Sequence, residues 1–179
     1  MLNQWPAYPL PPLPTIHQMS VESLLNMSPV GLSTLISGTL NLTNRAQFSP
    51  FRLQAPITVK RLFCANGTAV NGNIDLGIYA YDGTRIISTG STAQAGTSVV
   101  QSITIADTLI GPGDFWFAFV MDNATGTVVR LNMSSTPGAK RAGIMEKTSA
   151  FPLPATVTMA ANTASLTALM GLRWGGTAI

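Results

Sequence analysis

The stretch GNIDLGIYAYDGTRIISTG, residues 72–90, admits few folds. Ile74, Leu76, Ile78 and Ala80 alternate with Asp75, Gly77, Tyr79 and Tyr81, a period of two that a strand displays as two faces and a helix cannot. Asp82-Gly83 follows, a dipeptide suited to the positive φ angles of a type I′ turn, and TRIISTG then returns as the antiparallel partner. The same grammar continues downstream. TSVVQSITIA sets Val99, Gln101, Ile103 and Ile105 against Val100, Ser102, Thr104 and Ala106. In LIGPGDFWFAFVMDN, Pro112-Gly113 turns the chain into a run with Phe115, Phe117, Phe119 and Met121 on one face and Trp116, Ala118 and Val120 on the other. Both faces are apolar, which predicts a central strand.

APITVKRLFCANG reads as a strand ending in an Asn-Gly turn, and further strands are expected at GTVVRLNMS, RAGIMEK, PATVTMA and SLTALMGLRW. No helical period is sustained beyond residue 32; the one short helix or turn expected would use Met19, Leu24, Leu25 and Met27 ahead of Pro29. Short strands spaced by turn chemistry specify an all-β fold, an antiparallel two-sheet sandwich or jelly roll. The expected organisation is an extended arm over residues 1–30 and a sandwich domain over 31–179.

The arm is the second constraint. WPAYPLPPLP, residues 5–14, places Pro6, Pro9, Pro11, Pro12 and Pro14 among Trp5, Tyr8, Leu10 and Leu13. Each proline removes a backbone donor and fixes φ, so helix and central strand are both closed to it. A polyproline II segment of this length would reach about 30 Å at about 3.1 Å per residue. Disordered tails are polar and charged, and this one is neither. It is expected to lie on a neighbouring subunit.

Composition points the same way. Only 9% of the 179 residues are charged while 46% are hydrophobic, against roughly 25% charged in an ordinary soluble domain. A surface made of Thr, Ser, Asn, Gly and Ala suits burial in an assembly. The net charge of +3 is a small excess, and Lys60-Arg61 and Lys140-Arg141 are isolated pairs, so nucleic-acid binding is not supported. The uncharged stretch between Lys147 and Arg173 is broken by prolines and hydroxyl residues and does not read as a membrane span. MLNQWPAYP has no basic region before an apolar run, so no secretory signal is expected. The sequons at Asn26, Asn41, Asn66, Asn123 and Asn132 are then a consequence of composition.

Chemistry is thinly provided. His17, the lone histidine, falls outside the expected sandwich, so a Ser-His-Asp triad has no natural place, and Cys64 follows Leu62 and Phe63 in a strand where a thiol behaves as a small hydrophobe. Asp75, Asp82, Asp107, Asp114 and Asp122 could pair for glycoside hydrolysis, but most flank turns, where Asp bonds its own backbone. Asp82, Asp122 and Asn123 offer oxygens for calcium without an EF-hand pattern. No catalytic residue, cofactor or metal is expected. Tyr79, Tyr81 and Trp116, on the less aliphatic faces of their strands, are the candidate contacts for a glycan or another subunit.

Residues 72–123, with Asp-x-Gly-Ile-Tyr, a hairpin, a Thr-Gly-Ser turn and Pro-Gly-x-Phe-Trp leading into a hydrophobic strand, resemble the jelly-roll modules of tailed-bacteriophage virion proteins: head decoration proteins, head fibres and tail fibres. Related modules also occur as carbohydrate-binding domains of extracellular enzymes. The resemblance implies a non-enzymatic capsid decoration or cement protein on the virion surface. It would be made in the host cytoplasm, form trimers, and contact the major capsid protein or other virion proteins through the arm Trp5–Pro14. The alternative is a tail-fibre or receptor-binding module for host surface glycan. In the decoration-protein reading the apolar LMGLRWGGTAI, near the end of the sequence, is available for intersubunit packing.

Overall fold

A computed structural model describes residues 18–20, 32–40, 43–133, 143–163 and 166–174. These residues form fourteen strands: β1 (Gln18–Ser20), β2 (Leu32–Gly38), β3 (Ala46–Leu53), β4 (Ile57–Ala65), β5 (Asn73–Ala80), β6 (Arg85–Ser88), β7 (Thr92–Ala93), β8 (Val100–Ile110), β9 (Gly113–Met121), β10 (Val128–Met133), β11 (Met145–Lys147), β12 (Ala160–Ala161), β13 (Leu166–Ala168) and β14 (Met170–Trp174). All pairings are antiparallel, and two layers form the sandwich expected from sequence. The first layer runs β12-β11-β3-β9-β5-β6, with β7 also on β5; the second combines β1-β14-β4-β8 with β13-β10-β2. The second layer is continuous at Leu169: its N–H bonds Val129 O at 2.9 Å and its carbonyl accepts from Ala65 N at 3.0 Å, so the chain changes partner from β10 to β4.

The run with two apolar faces, β9, lies between β3 and β5, with Phe117 registered against Ser49 and Ile78. Its odd residues enter the main core with Leu62, Cys64, Ile74, Leu76, Ile78, Met170 and Leu172. Phe117 stacks on Phe51 at a centroid distance of 4.2 Å. Met170 and Leu172 are therefore core residues of an inner strand, not the intersubunit patch expected of LMGLRWGGTAI; residues 175–179 lie outside the described residues.

The hairpin at Asp82-Gly83 forms, with a different turn. Gly83 N–H bonds Ala80 O at 3.0 Å and only Gly83 has positive φ, at 89°. This is a three-residue loop with a bulge rather than a type I′ turn, and it lifts Tyr81 to the turn's outer corner. Met19, expected in a helix, is instead in β1, which pairs with β14; Leu24, Leu25 and Met27 lie outside the described residues. PATVTMA is a strand only at its end, where Ala160 begins β12. Among the described residues no helix is long and apolar enough to cross a membrane.

Candidate functional site

The outer face of the β3-β9-β5 sheet divides in two, one part covered and one bare. Residues 150–157 cross it as a strap. Ala150 N–H bonds Asn44 O at 2.8 Å, Leu153 N–H bonds Asp75 Oδ2 at 3.0 Å, and Val157 N–H bonds Gly83 O at 2.9 Å. Arg85 donates to the Leu153 carbonyl from its guanidinium and, through its backbone N–H, to Ala155 O at 2.8 Å. The strap closes a second core of Phe48, Tyr79, Ala118, Val120, Ala150 and Leu153. Tyr79 meets Phe48 edge-on at 5.3 Å and donates its hydroxyl to Pro154 O at 2.6 Å. It is 0% exposed, so the expectation that it offers a ring to a glycan or subunit is corrected: the strap occupies the face it would have shown.

Beyond the strap two rings remain available. Tyr81 is 70% exposed and lies over Trp116 with centroids 5.8 Å apart and planes 14° from parallel. Trp116 is half-buried, its inner edge packed on the second core, and its Nε1–H points to Tyr81 O at 3.4 Å. Pro50 stands opposite Trp116 in the register, and one step further along the same face Arg52 is opposite Asp114. Arg52 grips that carboxylate with two bonds, Nε to Oδ1 at 2.6 Å and an Nη at 2.8 Å from Oδ2. The hydrogen bond from Arg52 holds the Asp114 carboxyl below the usual carboxylate range and raises the guanidinium in turn. Both side chains are solvent-facing, where such a pair contributes little to stability. The site is thus a stacked aromatic pair, with Tyr81 the more exposed ring, bordered by proline and a self-neutralised ion pair.

The other sequence candidates are engaged in the framework. Asp82 accepts from Thr84 N–H at 2.9 Å within the hairpin turn. Asp122 accepts from Asn73 N–H, Asn73 Nδ2 and Asn123 Nδ2 at 2.8–2.9 Å. Burial pushes its carboxyl up, but these bonds outweigh it and hold it low. Asp82 and Asp122 sit at opposite ends of the β5-β9 pair, about 25 Å apart at strand rise, so the oxygens considered for calcium do not converge. Asp107 pairs with Lys60 at 3.2 Å and Glu146 with Arg45 at 3.6 Å. Asp75 is buried and held by Leu153 and Thr89. Burial pushes the Cys64 thiol up to about 12, and its Sγ lies 3.8 Å from Asn66 Oδ1. Asn66 itself is buried, donating to Ala95 O, Gly96 O and Gln101 Oε1, so its sequon is a structural corner. No group of three metal-ligating side chains occurs among the described residues. His17, Glu22 and the arm residues Trp5, Pro6, Tyr8, Pro9, Leu10, Pro11, Pro12, Leu13 and Pro14 lie outside them.

A second bare feature was not read from sequence. β8 is the outermost strand of its sheet and, at 11 residues, the longest strand described. Between Val59 and Arg61 the β4-β8 register slips. β8 carries two more residues than β4 across this slip, and past it Ile110 is buried while Leu109 faces out. Leu109 is 72% and Val100 57% exposed, at the two ends of an open edge. The adjacent apolar pair Leu109-Ile110 was the available signal, since neighbouring strand residues cannot both face the core.

No known protein family matches the chain, and no curated protein matches its sequence. Fold and site together define a two-layer antiparallel β-sandwich of generic jelly-roll type with an aromatic platform on one outer face and an open apolar edge.

Proposed function

We propose that this chain is a non-enzymatic structural subunit of a tailed-phage particle, a capsid decoration or cement protein that stabilises the head shell through its arm and its contacts with neighbouring subunits. The observation that carries the reading is the β8 edge, the outermost strand of its sheet, with Val100 and Leu109 exposed at its two ends, on a sandwich with few charges. A long open edge with apolar residues invites pairing or packing by another chain, and soluble monomers usually blunt it with charge, proline or cover. The Lys60–Asp107 pair brings charge to the middle of this edge. Among the described residues, the carboxylates named above each have a structural partner. In an assembly of copies on a shell, the edge and the arm would supply the contacts, with the major capsid protein or other virion proteins as partners. Quantitative mass spectrometry of purified particles tests the reading: a copy number near that of the shell protein is expected, and absence from particles would overturn it.

A second reading, a tail-fibre or receptor-binding module for host glycan, is favoured by one observation, the exposed Tyr81–Trp116 pair. It requires a sparse copy number and glycan binding that disappears in Tyr81→Ala.

A further inference from the structure

We propose that the proline-rich segment Trp5–Pro14 of one copy docks on the Tyr81–Trp116 ring pair of a second copy. The inference rests on the reading above that the chain works in an assembly, and it gives the arm an address there.

The platform's chemistry selects the occupant. Tyr81 stacks on Trp116 and offers the more exposed ring, and apart from the Tyr81 hydroxyl the polar groups named here are engaged with one another. Arg52 and Asp114 bind each other, Asp82 Oδ1 accepts from Thr84, and Trp116 Nε1 points to Tyr81 O. A sugar site needs convergent donors and acceptors to read hydroxyls, and these groups are turned inward on one another. A proline ring needs only a flat apolar surface. Polyproline II segments with a Pro-x-x-Pro repeat dock on aromatic-lined surfaces because the helix is extended before it binds and loses little entropy. The arm carries that repeat three times, at Pro6/Pro9, Pro9/Pro12 and Pro11/Pro14. With three residues per turn, Pro6, Pro9 and Pro12 share one ridge.

The point where the chain enters the fold sets which copy is reached. Gln18 is registered with Arg173, and Trp174, the next residue of β14, with Val59. Followed backwards from Gln18, the chain therefore leaves at the end of the sandwich where Ile57 pairs with Ile110 and where the turn into β9 begins, the same end that carries Asp114 and Trp116. Only Thr15, Ile16 and His17 separate Pro14 from Gln18, a reach of at most about 14 Å. The arm's own platform faces away from β1 across two stacked sheets about 10 Å apart plus a layer of side chains. Laying a stiff segment of about 30 Å back over that face would require a full reversal within those three residues. Continuing outward, it meets a neighbour. Each copy would give one arm and accept one, a head-to-tail contact that closes into a ring when the rotation permits.

The test uses the full chain with Tyr8 replaced by the photo-crosslinker benzoylphenylalanine. After irradiation, a product of twice the chain mass under denaturing conditions is expected. Its digest should join the Tyr8 peptide to a peptide containing Tyr81 or Trp116. Tyr81→Ala in the same chain should lower that product at least about tenfold with unchanged thermal unfolding, and Tyr81→Phe should retain it. Crosslinks confined to single chains, crosslinks mapping to the β8 edge or elsewhere, or no crosslink at all would each overturn the proposal. Oligosaccharide bound at Tyr81 while the arm crosslinks elsewhere would also overturn it. Copy number in particles is read separately. A near-stoichiometric chain whose arm maps to another surface keeps the particle role and removes only this address.

Discussion

Phe117 and Asp75 show what single side chains do here. Phe117 is almost fully buried, with Phe51 stacked on it and Ile78 opposite in the register. Phe117→Ala is expected to cost ~3–5 kcal/mol, the range for deleting a large core ring, measured as a fall in the urea midpoint with unchanged slope. Asp75 carries a different kind of information. Its pKa is raised by burial, against the opposing bonds from Leu153 N–H and the Thr89 hydroxyl and the charge of Arg85. The folded chain therefore holds this proton more tightly than the unfolded chain does. The associated stability is fully present below the ordinary carboxylate value of about 3.9 and is lost as pH rises through the raised folded value. Asp75→Asn keeps an acceptor for Leu153 and turns its amide toward Thr89 Oγ1, fixing the neutral state at every pH. Unfolding followed from pH 3 to 8 should show the variant gaining stability relative to the parent as pH rises through that window. A difference that stays flat with pH would show that Asp75 titrates as it does in the unfolded chain.

At the scale of elements, the strap explains both the success and the failure of reading from sequence. The period-two runs were legible because each sheet face meets a different environment, and β5 and β9 fall where alternation puts them, whereas β8 starts at Val100, runs on to Ile110 and changes its inward face at the register slip. Tyr79 was misread because alternation says which face a side chain takes and nothing of what lies over it. The cover comes from residues 150–157, some seventy positions away, and binds largely through backbone groups that leave no hydrophobic period. Tyr81, past the strap at the turn, kept the exposure that its strand pattern suggested, and Trp116 kept part of it. Gly77 records how closely the strap lies. A Cβ there would stand 2.8 Å from Leu153 Cδ1 and 3.1 Å from Ile87 O. Gly77→Ala is thus expected to overpack the second core and cost ~1–3 kcal/mol. Tyr79→Phe, which removes the bond to Pro154 O, should cost ~0.5–1.5 kcal/mol. Hydrogen exchange should show the strap amides of Leu153 and Val157 losing protection in both variants before those of β9.

For the whole molecule, the core residues described all belong to segments from Leu40 onward. Deleting residues 1–14 is expected to leave a cooperative thermal transition and to abolish association with particles. Loss of cooperativity would place the arm in the core. The strap and the partner change at Leu169 carry a further consequence, for the order in which the molecule is made. β11, the strap, β13 and β14 follow in the chain every strand they complete, yet β14 lies between β1 and β4, and β13 lies beside β10. During synthesis β4 has an open flank and Tyr79 and Phe48 stay wet until residues 150–174 have left the ribosome, because a domain folds as a unit once its parts are present. A nascent chain therefore buries Tyr79 and Phe48 and closes the flank of β4 only after residues 150–174 have been made, so the two layers are completed together rather than strand by strand.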